Sequence, residues 1–194
     1  MSPEGQSPGG HPRRAPATPA TRASLAALLA IAALAAGCRG TPAEAPEATA
    51  GETATVEWVN DGDTLTLTSG AKVRLLQIDA PELETDCYGR AALRALIELA
   101  PKGTRVTLVR DPALDARDGY GRLLRYVVVG TRNVNVELVR LGAASPYFYR
   151  GERGVHAAAL LDAVAEARAA GAGYWGACPA ARLRPGIGSV TGRR

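Results

Sequence analysis

The sequence predicts an α+β fold, a five-stranded β-barrel of the OB type with three helices packed against it in the order βββαββαα. Three observations carry this expectation. Three β-favouring runs divided by turn residues open the region after residue 50; a stripe of helical period then separates them from two further runs; two more helical stripes follow. Hydrophobic residues make up 46% of the 194 residues, but with one Phe and two Trp the core has to rest on Val, Leu and Ile. At this length a single folded unit is expected.

The first three strands are Val56-Glu57-Trp58-Val59, Thr64 to Thr68 and Val73 to Ile78, punctuated by Asn60-Asp61-Gly62 and Ser69-Gly70, which read as hairpin turns. Leu93, Leu96, Ile97 and Ala100 recur at i, i+3, i+4 and i+7, giving a helix that Pro101 and Gly103 end. Thr104 to Arg110 and Leu123 to Val129 resume the β pattern, and Gly130 to Asn133 turn the chain. Val134, Leu138 and Leu141 mark a short second helix; Leu160, Leu161, Val164 and Ala167 mark a final one over about 155–170. Period alone leaves other small α+β folds open. Trp58 and Trp175 are expected in the core, and His156 at the surface or beside a helix cap.

The ends of the chain read differently. Arg13, Arg14 and Arg22 precede an uncharged run from Ala23 to Cys38 that ends in Ala35-Ala36-Gly37-Cys38. A basic stretch, an apolar stretch and small residues describe an export signal over 1–38, shorter than the roughly 20 apolar residues of a spanning helix. The small residues before Cys38 resemble a bacterial lipobox, with Ala35 where Leu is usual. Lipidation at Cys38, and through it a membrane anchor, stands against a plain cleaved signal with an incidental Cys. Residues 39–52, rich in Ala, Pro, Glu and Thr, read as a flexible linker. The folded domain is expected over 53–179, and 180–194, without periodicity, as a disordered basic tail.

The net charge of +4 excludes less than it suggests. Residues 1–50 carry four Arg against three Glu and 180–194 carry four Arg and no acid, which leaves the stretch between them at −1. Phosphate binding would therefore have to come from individually placed arginines and not from bulk basicity. With Cys38 lipidated, Cys87 and Cys178 are the remaining cysteines. In an oxidising compartment they form an even pair, and a disulfide is expected in preference to two free thiols. Closing a loop of about 90 residues, it would contribute about 3 to 5 kcal/mol on the entropic account.

Three pieces of sequence carry chemistry. Asp61-Gly62-Asp63-Thr64 alone reads as a tight hairpin. Arg74 to Glu82, however, runs a strand bearing an Arg into Asp79, Ala80, Pro81 and a second acid, so that two carboxylate clusters meet across neighbouring strands. Asp63 and Asp79 supply hard oxygen donors of the kind that suits Ca²⁺; two His and no Cys-x-x-Cys argue against zinc. Asp118-Gly119-Tyr120-Gly121-Arg122 turns sharply before presenting a second guanidinium.

In order and spacing these three pieces resemble the staphylococcal nuclease family, from about Val56 to Trp175. The resemblance implies a calcium-dependent nuclease that cuts DNA and RNA at the bond between phosphorus and the 5′ oxygen, leaving 3′-phosphates. It implies Asp63, Asp79 and the backbone carbonyl of Ala80 as metal ligands, Arg74, Glu82 and Arg122 as the catalytic set, and Tyr120, Tyr147 and Tyr149 as nucleotide contacts. Two departures stand out: Ala80 where the type enzyme has Thr, and Gly119 where it has Lys. A phosphodiester under attack gains negative charge on its oxygens, which two guanidiniums and a divalent cation stabilise, while Glu82 would orient the attacking water. Tyr147 and Tyr149 read equally as a packed loop. A monomer is expected. Two rivals remain at this stage, a non-catalytic OB nucleic-acid-binding module and a surface-anchored domain that uses calcium for stability.

Overall fold

The computed structural model describes residues 51–193. The export signal over 1–38, Cys38 and nearly all of the 39–52 linker lie outside the described residues. In chain order the elements are β1 (Glu52–Val59), β2 (Thr64–Leu67), β3 (Lys72–Leu75), β4 (Ile78–Asp79), α1 (Gly89–Leu99), β5 (Arg105–Val109), β6 (Leu123–Val129), β7 (Arg132–Asn133), α2 (Val134–Arg140), β8 (Ser145–Pro146), α3 (Ala157–Ala169), α4 (Tyr174–Ala177), β9 (Arg182–Arg184) and β10 (Gly188–Val190).

β3, β2, β1, β5 and β6 are neighbours in that order, and a parallel pairing of β3 with β6 closes them into a five-stranded barrel. The barrel is the expected OB type. Val56, Leu65, Val73, Leu75 and Val106 fill its interior, as the alternation of apolar residues along each strand requires. Where β3 leaves β6, the fully buried Asn135 takes over the missing ladder bonds. Its Oδ1 accepts from the Val127 amide at 2.9 Å, and its Nδ2 donates to the carbonyls of Leu76 and Arg125 at 2.9 and 3.3 Å. Unpaired backbone groups at this seam would otherwise be buried without partners.

The helices appear where expected, with one change of register. α1 buries Gly89, Ala92 and Leu96, while Ile97 is 41% exposed. The stripe turns toward small residues because α1 lies close to the turn after β1. A Cβ on Gly62 would stand 2.8 Å from that of Ala92 and 2.6 Å from that of Ala80. α3 buries Leu160, Val164 and Ala167 as the pattern implied and adds Ala163, while Leu161 is half-buried; Leu141 falls just past α2 and is exposed.

Three expectations are corrected. The expected disordered tail over 180–194 is, as far as residue 193, an ordered segment: β9 and β10 pair as an antiparallel hairpin, Leu183 opposite Ser189, and β10 lies against β4 and β8. The last residue of the expected linker, Glu52, already belongs to β1. Trp58 is 52% exposed, at the point where the β1–β2 register shifts and the side chain leaves the core face. Trp175 is half-buried against Tyr174, with ring centroids 4.4 Å apart. His156 precedes α3 without capping it and packs edge-on against Tyr126; burial lowers its pKa. Cys87 and Cys178 are joined in the expected disulfide, 91 residues apart in sequence.

Candidate active site

The site is assembled where β2, β3 and β4 meet the turn before β6. Asp63 ends the turn between β1 and β2, its amide donating to Asp61 Oδ1 at 3.0 Å. Arg74 faces it from β3, since Thr64 pairs with Arg74 across the β2–β3 ladder. Arg74 Nε lies 2.9 Å from Asp63 Oδ1, and Nη2 lies 2.8 Å from Asp79 Oδ1. Its Nη1 donates to the carbonyls of Leu75 and Ile78 at 2.7 and 2.6 Å. Of the five N–H donors of a guanidinium, three make these hydrogen bonds, Nε is taken up in the ion pair with Asp63, and one Nη2 N–H remains for a ligand. The strand ends that Arg74 ties together take up most of its donors.

The two carboxylates are unequal. Asp63 is buried, and its Oδ2 accepts from the Ala80 amide at 2.8 Å. Burial pushes its pKa up to about 7 against the pull of Arg74, with Asp61 and Asp79 adding to the rise. Asp79 keeps 32% of its side chain exposed; its Oδ2 accepts from the Ser189 amide at 2.8 Å. One buried cation thus faces two acids, a charge deficit that a divalent cation would repair. The donor set is all oxygen and suits Ca²⁺. Among the described residues no three His, Cys, Asp or Glu side chains cluster as a metal site. A calcium ion would therefore draw on Asp63, Asp79, a backbone carbonyl such as that of Ala80, and water to reach six to eight ligands.

Arg122 is held locally. Asp118 Oδ1 accepts the amides of Tyr120 and Arg122 at 3.0 Å each, and Oδ2 accepts Arg122 Nε at 2.6 Å. Gly121, at φ 80°, lets the chain close this loop. The Nη atoms of Arg122 make no hydrogen bond among the described residues. Although burial opposes ionisation of Asp118, the bonds from Arg122 and the loop amides outweigh it and hold its pKa below the ordinary carboxylate value.

Arg74 and Arg122 line one cavity of about 560 Å³ together with Tyr120, Tyr147 and Tyr149. Tyr120 and Tyr149 are 89% and 54% exposed, and Arg122 lies 5.5 Å from the Tyr120 ring centroid. Asp63 and Asp79 adjoin this cavity through Arg74. Glu82 does not line it: the residue is exposed, and its backbone is folded into a turn with Asp86.

The loop carrying Tyr147 and Tyr149 is fastened by residues that sequence reasoning missed. Gln77, at φ 61°, accepts the Tyr147 amide on its carbonyl and the Gly154 amide on Oε1, and its Nε2 donates to the Glu152 carbonyl at 2.8 Å. Buried Asp111 accepts the Val155 amide and the Tyr126 hydroxyl on Oδ2. A polar residue inside an apolar strand run was the available signal for Gln77; Asp111 gave none.

The OB barrel turns two guanidiniums and three tyrosines into one cleft, with paired carboxylates behind the first. Comparison with known proteins gives the family. The model described as "Staphylococcal nuclease homologue" matches residues 72–177, more than half of the chain, and the chain belongs to that family. An "Uncharacterized endonuclease" of Haemophilus influenzae is 36% identical over 127 residues, 63% of this chain and 66% of that protein. The "Thermonuclease" of Staphylococcus intermedius is 34% identical over 108 residues, 51% of this chain and 62% of that protein. "Endonuclease YhcR" of Bacillus subtilis is 35% identical over 120 residues, 54% of this chain and 10% of that much longer protein. In each case the chain spans less than two thirds of the relative.

Proposed function

We propose that this chain is an exported, calcium-dependent nuclease that hydrolyses phosphodiester bonds in single-stranded or locally opened DNA and RNA, leaving 3′-phosphates. The observation that supports this reading most is the convergence of Arg74 and Arg122 on one tyrosine-lined cavity. The free Nη groups of Arg122 bind two phosphoryl oxygens, which gain charge as the nucleophile attacks. Arg74 adds its remaining N–H and its charge while holding Asp63 and Asp79 in place. Bound calcium would supply a further positive charge against the same phosphoryl oxygens. Tyr147 and Tyr149, with ring centroids 6.5 Å apart, offer faces for bases, an arrangement suited to unpaired strands. Glu82 orients or deprotonates the attacking water, which requires its exposed segment to swing toward the cavity when substrate binds.

In the same reading, residues 1–38 direct export, Cys38 carries a lipid that attaches the chain to a membrane, and the protein is a monomer. Incubation with heat-denatured DNA and matched RNA, first with calcium and then with chelator, tests the activity. Cleavage confined to the calcium arm, with 3′-phosphate ends, is expected. Strand binding without cleavage under calcium would favour a non-catalytic OB module. Labelling of cells with a clickable palmitate tests Cys38, and absence of label would remove the lipid anchor.

A further inference from the structure

The hairpin of β9 and β10 lies beyond the 72–177 family match, yet it reaches the candidate metal site. Ser189 makes two bonds to Asp79, 110 residues away in sequence: its amide donates to Oδ2 at 2.8 Å, and its hydroxyl donates to the Asp79 carbonyl. The same hydroxyl lies 3.3 Å from Ser145 Oγ on β8, which pairs with β4. Next to it, Gly188 sits at φ 99° so close to the carboxylate that a Cβ there would stand 2.5 Å from Asp79 Oδ2.

A two-stranded hairpin with strands of three residues has little stability of its own, so its place is set by its anchors. Those anchors flank the disulfide. Cys87 donates its amide to the Gly192 carbonyl at 2.8 Å and accepts the Thr191 hydroxyl on its own carbonyl at 2.9 Å. At the other end the Ala181 amide donates to the Cys178 carbonyl at 3.0 Å. The linked cysteines therefore hold both ends of the hairpin, and β10 is pressed onto Asp79.

We propose that the β9–β10 hairpin is part of the metal site, with Ser189 and Gly188 as positioning residues that fix Asp79 for calcium. The inference rests on the calcium reading given above. With Oδ2 held by the Ser189 amide, Asp79 presents Oδ1 toward Arg74 and the cavity side in a single orientation. A carboxylate so held loses little freedom when it takes a cation. One left loose would swing between Arg74 and solvent. Partners of this kind behind a metal ligand typically change metal affinity about 10- to 100-fold when removed.

The test is calorimetric titration of calcium into the chelator-stripped full chain, without substrate, at a temperature where every variant is folded. The variants are a chain stopped after Ala181, Gly188→Ala, Ser189→Ala and Ser189→Thr. The stopped chain and Gly188→Ala are expected to bind calcium about 10- to 100-fold more weakly, Ser189→Ala less severely, and Ser189→Thr close to the unaltered chain because it keeps the hydroxyl. A hairpin that serves only as a brace would lower the melting temperature and leave the calcium constant unchanged in all four, which overturns the inference while the calcium site stands. Failure of the unaltered chain to take up calcium would remove the metal reading and this inference with it.

Discussion

The two guanidiniums of the cavity live in opposite settings. Arg74 is 12% exposed, with three hydrogen bonds to Asp79 and the carbonyls of Leu75 and Ile78 and an ion pair from Nε to Asp63. Arg122 is 28% exposed and is held by one acid four residues away in its own loop. The first is built into the barrel and the second is offered to a ligand. Under the proposed function their identical chemistry separates into different duties, Arg74 mainly holding the carboxylates together and Arg122 mainly meeting the phosphate.

Replacement of Arg74 by Ala should produce the largest effect, because it leaves two carboxylates facing each other with no cation. Breaking a buried pair costs about 3 to 5 kcal/mol, so the denaturation midpoint should fall sharply and activity with it. An urea titration checks this, and a midpoint near that of the unaltered chain would erase the contrast between the two arginines. Arg122→Lys should do the reverse. Lys keeps the charge beside the half-buried Asp118, so stability should change far less than in the Arg74 variant. Turnover should fall about 10² to 10³-fold, because Lys cannot present two parallel N–H groups.

This asymmetry was only half legible in the sequence. The strand pattern predicts the barrel, and the spacing of Asp63, Arg74 and Asp79 marks residues that meet through local hairpin register; that Arg122 joins them was implied by the family resemblance, since it depends on the non-local parallel pairing of β3 with β6. How many donors Arg74 retains depends on the carbonyls of Leu75 and Ile78, which no pattern of side chains reveals. The hairpin after residue 180 was missed for a related reason: its bonds to Asp79, Cys87 and Phe148 are non-local and largely to backbone, so the segment has no periodicity of its own. Ile97 was misplaced because small residues, and not the largest ones, set the face on which α1 approaches Gly62. The disulfide was expected from setting Cys38 aside as a lipidation site in an exported chain, which leaves Cys87 and Cys178 as an even pair.

A smaller effect should appear at the outer wall of the cavity. Tyr149→Ala should raise KM for single-stranded substrate by a factor corresponding to about 1 to 3 kcal/mol, the loss of one stacked base, with kcat little changed. An unaltered KM would assign Tyr149 to loop packing.

The pH dependence of stability in chelator should also separate the two regions, which differ in sign. Burial places the folded-state pKa of Asp63 above its ordinary value, so the fold favours its protonated form. That contribution is full below 3.8 and drains as pH rises to about 7. Asp118 is held below its ordinary value, so its contribution is full above 3.8 and is lost as pH falls through the lower folded value. Urea midpoints across pH should show Asp63→Asn flattening the neutral limb and Asp118→Asn flattening the acid limb.

The most direct test of the account is the single-turnover rate of DNA cleavage by Arg122→Lys at saturating calcium and substrate, compared with the unaltered chain at equal folded fraction. A loss of about 10² to 10³-fold, with calcium binding intact, is what a cavity built around a free guanidinium requires. A rate close to that of the unaltered chain would mean that Arg122 does not meet the phosphate and that the chemistry lies elsewhere on the barrel.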